Sequence, residues 1–443
     1  MFFLPCLVKD LLSPSAKLSP YFADSAYLNF AFIMALKNHL SVEESMTSLI
    51  PTPPQRYIRQ LSLHNYRNYR KIQLQFGPQP VVFVGPNGAG KTNLLEALSL
   101  FAAGSGLRGA KLPHLGYQET SQDPSAPHSS WAAHILLEED LSLATGLVGQ
   151  RRLCKIQGEP VKSATVFHEY LHLLHVTPDM DHLFTAPSSE RRKFIDQLIA
   201  SYNPHHKNHL SLYEKATKQR LALLRKESSP NDTWLSSLEK IMADNNLLIS
   251  QERTHLLHKL HAGREQLLPQ FPPFEAYMEG PFEDFLHQHG PNDNKENLLE
   301  EIQHLLKRNR PLDAAAGMTF FGVHRSDLSV LHKIHQRPSF DCSTGEQKIL
   351  LLSLLLAFIY QRSPQQPFLV LLLDDVIARL DLATRVILFE QIEQLNRPTG
   401  KGMFVQTFFS GTDWGLFSPL KTAQFFEVLQ GTVTTTKGVT THE

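Results

Sequence analysis

The chain has 443 residues, with 43 basic and 43 acidic side chains, and 42% of its residues are hydrophobic. That length supports a sizeable core, in one large domain or in two to three closely packed ones. Because the net charge is zero, any nucleic-acid surface must come from local basic patches. Cys6, Cys154 and Cys342 share no metal-like spacing, and an odd number favours a reducing cytoplasm. No stretch reaches the ~18 apolar residues of a membrane span, so we predict a cytoplasmic protein without membrane contact.

The first 55 residues show no convincing periodicity and end in Pro51-Thr52-Pro53-Pro54. We interpret them as an N-terminal extension, either disordered or the product of an early start codon, because Met34 and Met46 precede the patterned part of the chain.

A regular pattern begins at Tyr57, where apolar and polar residues alternate over 58–63 and again over 72–76. This period of two predicts a pair of half-buried strands. Arg67 lies between them among tyrosines. That setting suits a phosphate or base contact, and it suits a loop with anchored aromatic residues equally well.

The most informative stretch is a glycine-rich loop between the apolar run 81–84, a predicted buried strand, and the helical run 93–98. It reads G-x-x-x-x-G-K-T, the phosphate loop of nucleotide-binding proteins. Its glycines let backbone N–H groups surround a polyphosphate, Lys91 can reach the β- and γ-phosphates, and the Thr92 hydroxyl can hold Mg²⁺. The predicted nucleotide-binding residues are Gly85, Pro86, Asn87, Gly88, Ala89, Gly90, Lys91, Thr92 and Asn93.

Downstream of this loop, Arg108 lies close enough in sequence to supply a basic group to the same site. A polar loop over 118–130 precedes three predicted strands at 132–137, 143–147 and 153–156. The densest basic triplet of the chain then follows Ser188-Ser189, one of which is predicted to cap a helix. The candidate DNA-binding residues are Arg67, Arg108, Arg191, Arg192 and Lys193.

Residues 195–270 are predicted to be helical, with apolar residues recurring every seven positions. This spacing fits a pair of packed helices forming a short coiled hairpin, and it fits an ordinary amphipathic helix on a core as well. We interpret 269–281, with its four prolines, as a linker, and 298–306 as a short helix. The recurring residues are Leu235, Met242, Ile249 and Leu256.

His205, His206 and His209 show the i, i+4 spacing of a metal site, but no set of carboxylates stands at ligand spacing. We therefore favour ordinary surface or core histidines there.

Two further motifs complete a nucleotide site. The run 368–373 is apolar throughout, which predicts a strand buried on both faces of a parallel sheet, and it ends in two carboxylates. Asp374 is predicted to hold Mg²⁺ together with Thr92, and Asp375 to act as the catalytic base toward water. Upstream, the segment 343–348 reads Ser-Thr-Gly-Glu-Gln-Lys before the apolar helix 349–359, with Ser343 as its cap.

The order of phosphate loop, long insertion, S-x-G-x-Q, apolar strand and Asp-Asp resembles the head of ABC-type ATPases. Within that class the chain resembles the RecF family of bacterial recombination mediators over about residues 57–425. The stretches that carry the resemblance are 65–69, 85–97, 177–180, 191–196, 322–327 and 373–376.

The resemblance implies an α/β fold, an ABC-type ATPase head with an inserted, mainly helical lobe. The implied division is an extension at 1–55, the first ATPase part at 56–195, the helical lobe at 196–315, the second ATPase part at 316–430 and a tail at 431–443. In such heads the signature of one subunit closes over nucleotide held by another. The residues that this carries over are Ser343, Gly345, Glu346 and Gln347.

As the resemblance implies, the function is that of an ATP- and Mg²⁺-dependent homodimer on double-stranded DNA near single-strand gaps. It would act with RecO and RecR in loading RecA during replication, repair and the SOS response, with weak ATP hydrolysis as a switch. The chain departs from the family at Glu346 and Lys348, where many members carry Gln and Arg, and no histidine follows the Asp-Asp strand. The alternatives are an SMC-like ATPase, for which the insertion leaves no room for a long arm, and a non-hydrolysing nucleotide-gated DNA scaffold.

Overall fold

The computed structural model describes residues 56–102, 106–117, 130–226, 231–290, 293–362, 368–395 and 404–436. The whole extension predicted over 1–55 lies outside the described residues. Most of the polar loop predicted over 118–130 and the end of the tail predicted over 431–443 also lie outside them.

Three sheets form within these ranges. Their strands are β1 (Ile58–Tyr66), β2 (Tyr69–Gln75), β3 (Val81–Val84), β4 (Trp131–Leu137), β5 (Ser142–Val148), β6 (Arg151–Ile156), β7 (Glu159–Val161), β8 (Leu171–Val176), β9 (Phe274–Glu279), β10 (Asp327–His332), β11 (Arg337–Pro338), β12 (Phe368–Leu373), β13 (Val405–Gly411), β14 (Gln424–Leu429) and β15 (Thr432–Thr436). The α-helices of the described residues are α1 (Lys91–Ser99), α2 (Ser188–Ala200), α3 (His205–Lys226), α4 (Asp232–Arg264), α5 (Pro281–Gln288), α6 (Lys295–Arg308), α7 (Arg310–Ala316), α8 (Thr344–Tyr360) and α9 (Leu382–Leu395).

The N-terminal half builds an antiparallel sheet in the order β2-β1-β4-β5-β6-β7. Its strands confirm those predicted at 58–63, 72–76, 132–137, 143–147 and 153–156. Alternate residues of β4 are buried, as expected for a sheet with one face on a core.

The second sheet has the order β15-β14-β3-β13-β12-β8, and every pairing in it is parallel except that of β14 with the edge strand β15. All six residues of β12 are buried, which confirms the strand predicted at 368–373. Because β13 pairs with both β3 and β12, the carboxyl ends of these three strands are neighbours. Ligands of open α/β sheets bind at such ends, so the segments that follow β3 and β12 meet at one edge.

The inserted lobe is built around α3 and α4, which run in opposite directions. The direction follows from their contacts, since Arg220 bonds Glu239 at 2.9 Å whereas the earlier His209 bonds the later Asn245 at 3.1 Å. This confirms a pair of packed helices. The residues predicted to recur every seven positions are all buried, but Leu256 packs in a different core from Leu235, Met242 and Ile249.

Two local predictions are wrong. The segment interpreted as a linker at 269–281 contains β9, which alternates buried and exposed residues and pairs antiparallel with β10. The prolines flank this strand rather than interrupt it, so they remove no ladder hydrogen bond. Neither Ser188 nor Ser189 is the cap of α2, because the cap position is Pro187 and the helix begins at Ser188.

The cores cross the predicted domain boundaries. Leu256 and Phe274 belong to the same buried cluster as Leu371 of β12, although both lie within the stretch 196–315 assigned to the helical lobe. The division into lobes therefore stays a prediction. None of the helices in the described ranges combines the length and the apolar character needed to cross a bilayer.

Candidate nucleotide site

The loop between β3 and α1 has the backbone that its glycines permit. Gly88 and Gly90 have φ values of 80° and 118°, in the region that other residues rarely occupy. A Cβ on Gly90 would lie 2.4 Å from Nδ2 of Asn68 and 2.5 Å from the Tyr69 hydroxyl. Because Gly90 precedes α1 without a side-chain cap, the helix N-terminus keeps its partial positive charge toward an anion.

Asn68, in the turn between β1 and β2, and Asn93 of α1 together fix the loop. Asn68 donates to the carbonyl of Ala89 at 3.0 Å, and Asn93 donates to Oδ1 of Asn68 at 2.8 Å. The buried Ala89 carbonyl also accepts from the N–H of Gly431 at 3.3 Å. The shape of the loop is thus set by three separate segments.

Lys91 is buried at the start of α1, and its ammonium contacts the loop itself. It donates to the carbonyls of Gly85 at 2.8 Å and Pro86 at 2.9 Å. Burial lowers the pKa of Lys91, and the nearby Asp375 and Asp374 oppose that effect. These are weak partners for a cation, so a phosphate would be a stronger partner.

The hydroxyl of Thr92 and the carboxylate of Asp374 are in contact, as expected for two residues predicted to hold one Mg²⁺. Thr92 donates to Oδ1 of Asp374 at 2.9 Å, and Ser410 at the end of β13 donates to the same oxygen at 2.7 Å. Ser410 also accepts from the N–H of Asp375 at 2.8 Å. One hydroxyl thereby holds the carboxylate of Asp374 and the backbone of Asp375.

Asp375 combines several properties of a functional group. Its φ is 51°, a strained value for a residue other than glycine, and strain of this kind concentrates at functional sites. Its Oδ1 is buried and has no hydrogen-bond partner among the described residues. Burial raises the pKa of Asp375 and Asp374 adds to the rise, while Arg379 and Lys91 oppose it. A carboxylate with an unmet acceptor in a cleft fits a bound water or cation.

A cavity of about 740 Å³ joins these groups. It is within the ~300–1,000 Å³ range of small-molecule sites. Of the predicted nucleotide-binding residues, Gly85, Pro86 and Ala89 do not line the cavity. Those that do line the cavity are Asn87, Gly88, Gly90, Lys91, Thr92 and Asn93. Asp374, Asp375, Ser410 and Arg108 line it as well, and so do residues 177–179.

The signature segment 343–347 begins a helix that is exposed at its N-terminus. Ser343 caps α8, which confirms the predicted cap, and it forms a reciprocal capping box with Glu346. Glu346 accepts from the N–H of Ser343 at 2.7 Å and donates its own N–H to the Ser343 hydroxyl at 3.3 Å. A Cβ on Gly345 would meet nothing within 4 Å, so its outer side is open. Gln347 is instead buried and donates to the carbonyl of Cys342 at 3.0 Å.

Two of the candidate DNA-binding residues are near the loop, and both contact side chains of α1. Arg67 forms two bonds of 2.8 Å with the buried Glu96 of α1. The bond to Glu96 raises the pKa of Arg67. Arg108 is exposed, and it donates to Oδ1 of Asn93 at 3.1 Å beside the cavity.

The basic triplet of α2 separates into two kinds of side chain. Arg191 forms two bonds of 2.7 Å with Asp327, and Arg192 donates to the Ser326 carbonyl at 2.6 Å. Lys193 is exposed and contacts only the exposed Glu190 among the described residues, at 2.7 Å. Within the triplet, Lys193 alone presents its charge to solvent.

Next to the triplet, Asp196 is buried and accepts from Arg253 at 2.9 and 2.8 Å and from His206 at 2.9 Å. Arg253 also donates to the Val323 carbonyl at 2.9 Å. We call Asp196, Arg253 and His206, with the Arg191–Asp327 pair, the charged junction. It connects α2, α3 and α4 to the segment 322–327, and it gives His206 a structural partner in place of a metal.

Sequence reasoning missed Ser410 as a site residue, because a single serine near the end of a strand belongs to no recognisable motif. It also missed the contacts of Arg379. This residue donates to Asp181 at 3.0 Å, and its carbonyl accepts from Lys348 of α8 at 2.9 Å. The signature helix is therefore connected to the segment that follows Asp375.

Comparison with known proteins agrees with this geometry. The family model for the RecF/RecN/SMC N terminal domain matches residues 57–410. The chain is 37% identical over 394 residues to the DNA replication and repair protein RecF of Mesorhizobium japonicum, covering 86% of this chain and 98% of that protein. It is 36% identical over 391 residues to the protein of the same name from Brucella suis, covering 86% and 97%.

Two solved structures share the fold. The recombination mediator protein RecF-ATPrS in the RecFOR pathway has a TM-score of 0.70 at 22% identity, covering 86% of this chain and 98% of that one. The RecF-ATP structure of the same pathway has a TM-score of 0.66 at 22% identity, covering 86% and 99%. The head fold predicted from the sequence is confirmed, and the identities to the curated proteins extend over nearly their whole length. The chain belongs to the RecF family of DNA replication and repair proteins.

Proposed function

We propose that this protein is an ATP-dependent DNA clamp that acts as a recombination mediator. ATP and Mg²⁺ bind in the cavity, two copies close around double-stranded DNA beside a single-strand gap, and weak ATP hydrolysis releases them. The observation that carries the proposal is the shared position of Thr92, Asp374 and Ser410 beside the phosphate loop.

The residues present fit a magnesium–nucleotide complex. Thr92 and Asp374 would hold Mg²⁺, a hard cation that prefers oxygen ligands. When bound, the ion would neutralise charge on the β- and γ-phosphates. Lys91 would exchange its loop carbonyls for phosphate oxygens. Asp375 would accept a proton from water, a role supported by its raised pKa and by an Oδ1 that has no hydrogen-bond partner among the described residues.

The signature residues support a site completed by a second copy. Ser343 and Gly345 stand exposed at the N-terminus of α8, and neither lines the chain's own cavity. Helix N-termini bind phosphate through their N–H groups and their dipole. A second copy could therefore offer this helix end to the nucleotide, with Glu346 holding its first turn and Gln347 supporting it from inside.

The partners follow from the relatives and from the proposed site. The curated relatives are bacterial DNA replication and repair proteins, and the solved structures of the same fold are assigned to the RecFOR pathway. We therefore propose double-stranded and gapped DNA, RecO and RecR as partners, RecA loading as the outcome, and the cytoplasm as the place of action. Arg108 and Lys193 are the exposed candidates for phosphate contacts.

The test compares Asp375→Asn with Ser343→Arg by sedimentation with ATP and gapped DNA. Asp375→Asn removes the proposed base but leaves Thr92 and Asp374 in place. It should accumulate as an ATP-bound dimer that stays on DNA, because closure needs ATP bound and opening needs it cleaved. Ser343→Arg adds bulk and charge at the closing surface, so it should bind ATP as a monomer.

Ser343→Ala is the matched control, since it loses the same helix cap, a change of about 1 kcal/mol, without adding bulk. It should dimerise better than Ser343→Arg. If both main variants dimerise like the parent protein, the shared site is wrong. Parent protein that closes on DNA with ATP but never hydrolyses it would favour the nucleotide-gated scaffold.

A further inference from the structure

A cluster of metal-ligating side chains lies beside the signature helix, outside the nucleotide cavity. It consists of His332, His335 and Glu346, whose ligand atoms all lie within 4.8 Å of one another. His332 ends β10, His335 stands in the turn before β11, and Glu346 belongs to the first turn of α8. Three different segments thus bring two imidazoles and one carboxylate together.

The spacing within the cluster suits a tetrahedral zinc ion. Zinc bonds to nitrogen and oxygen of ~2.0–2.1 Å place neighbouring ligand atoms about 3.3–3.4 Å apart in a tetrahedron. Nε2 of His335 is 3.4 Å from Oε1 of Glu346, so one edge of such a site is already present. The rings of His332 and His335 are stacked with their centroids 4.5 Å apart, which keeps the second imidazole beside the first.

Each ligand can bind without dismantling the local structure. Glu346 uses Oε2 for the capping bond from the N–H of Ser343, which leaves Oε1 available. His332 is buried and accepts from the N–H of His335 over 3.4 Å, a long bond that costs little to give up. His335 is about half exposed at the turn, with a side-chain exposure of 49%, so its ring is free to adjust.

The other histidine–carboxylate contacts of the described residues lack this combination. His206 is fully buried, and its partner Asp196 is already saturated by Arg253. His289 and Glu301 form a contact of 2.7 Å with no third ligand. The cluster at α8 therefore differs from an ordinary ion pair by its third member.

We propose that His332, His335 and Glu346 form a zinc site that fastens the turn between β10 and β11 to the signature helix. Two histidines and one glutamate are a known ligand set for zinc, with water completing the fourth position. Because Glu346 belongs both to this site and to the capping box with Ser343, bound zinc would stiffen the first turn of α8. Zinc binding itself does not depend on the nucleotide proposal.

The test measures zinc binding to the full chain after treatment with a chelator, by competition with a chromophoric indicator and by the visible absorption of bound Co²⁺. The parent protein should bind one equivalent with the strong absorption of a tetrahedral site. Changes to outer residues that orient metal ligands already cost ~10–100-fold in affinity. His335→Ala removes a ligand itself and should weaken binding at least tenfold, and its exposed position lets the variant fold.

Glu346→Gln gives a second test, since glutamine can still accept from the N–H of Ser343 while it loses the anionic oxygen. Zinc affinity should fall although α8 stays capped. His289→Ala is the matched control, and Asp374→Asn controls for metal held in the nucleotide cavity. Both should keep the parent affinity. Zinc binding that is absent from the parent, or equal in the parent and His335→Ala, overturns the proposal.

Discussion

The nucleotide cavity and the charged junction are built from the same kinds of side chain, but the hydrogen bonds and ion pairs of their charged groups differ. In the junction, Asp196 accepts three bonds from Arg253 and His206. In the cavity, Lys91 contacts only loop carbonyls, and Oδ1 of Asp375 has no partner among the described residues. The charges of the junction are neutralised within the chain, whereas those of the cavity are left for a ligand.

Whether a charged side chain has partners within the chain distinguishes a structural role from a functional one more reliably than its residue type does. A buried ion pair with further hydrogen bonds holds segments together and has little capacity left for a ligand. A buried acceptor without a partner costs free energy that a bound water, cation or phosphate can recover. Arg191 belongs to the first class through its pair with Asp327, and Arg192 is likewise held inside the chain by the Ser326 carbonyl, although the sequence groups both with Lys193 as one basic triplet.

Removing the Arg253 guanidinium from the charged junction should produce the largest loss of stability. Arg253→Met keeps much of the apolar volume but leaves Asp196 buried beside His206 alone. Breaking a buried pair in this way costs ~3–5 kcal/mol. Chemical denaturation should show a loss of this size, and Arg56→Met, at an exposed pair with Glu139, should change stability by less than about 0.5 kcal/mol. Equal losses in the two variants would show that the buried pair of the junction stabilises the protein no more than an exposed pair does.

The sequence predicted strands β1 to β6 and β12, the phosphate loop and the two carboxylates because local patterns determine them. The run 368–373 is apolar at every position, and its strand is buried at every position. The contact between Thr92 and Asp374, 282 positions apart in the chain, followed from general rules about the ends of parallel strands.

What the sequence could not supply were the partners of charged groups and the direction of individual side chains. Nothing local indicates that Arg191 meets Asp327, 136 positions later, or that Gln347 turns inward to Cys342. Ser410 was missed because a single serine at a strand end has no pattern of its own. The cluster of His332, His335 and Glu346 also depends on the fold, since the two histidines share one turn but Glu346 comes from the separate helix α8.

The second prediction tests the nucleotide cavity, where the charge of Lys91 is left for a ligand. Lys91→Arg should keep the fold but weaken ATP binding at least tenfold, about 1.4 kcal/mol, because a planar guanidinium does not fit a loop that holds a compact ammonium. Fluorescent-nucleotide titration measures the affinity, and thermal unfolding without nucleotide checks the fold. Lys155→Arg, on an exposed strand position, is the control. Unchanged affinity and hydrolysis would overturn the assignment of the phosphate loop.

The smallest effect is expected on DNA binding, at Lys193, the exposed residue of the basic triplet. Lys193 is paired only with Glu190 among the described residues, at 2.7 Å. Exposed pairs of this kind contribute about 0–1 kcal/mol, so the ammonium can exchange its carboxylate for a phosphate. Arg191 and Arg192 have no such freedom, because their bonds hold α2 to the segment 322–327.

Lys193→Gln should therefore weaken binding to every DNA sequence alike and reduce the slope of log affinity against log salt concentration by about 0.9, the value for one phosphate contact. Glu190→Gln is the informative partner variant, since it removes the competing carboxylate and leaves the lysine. It should raise affinity while keeping the full slope. Binding isotherms on double-stranded and gapped DNA at several salt concentrations measure both. If Lys193→Gln leaves the slope unchanged, the triplet serves the junction alone, and the DNA surface must be sought at Arg108 beside the nucleotide.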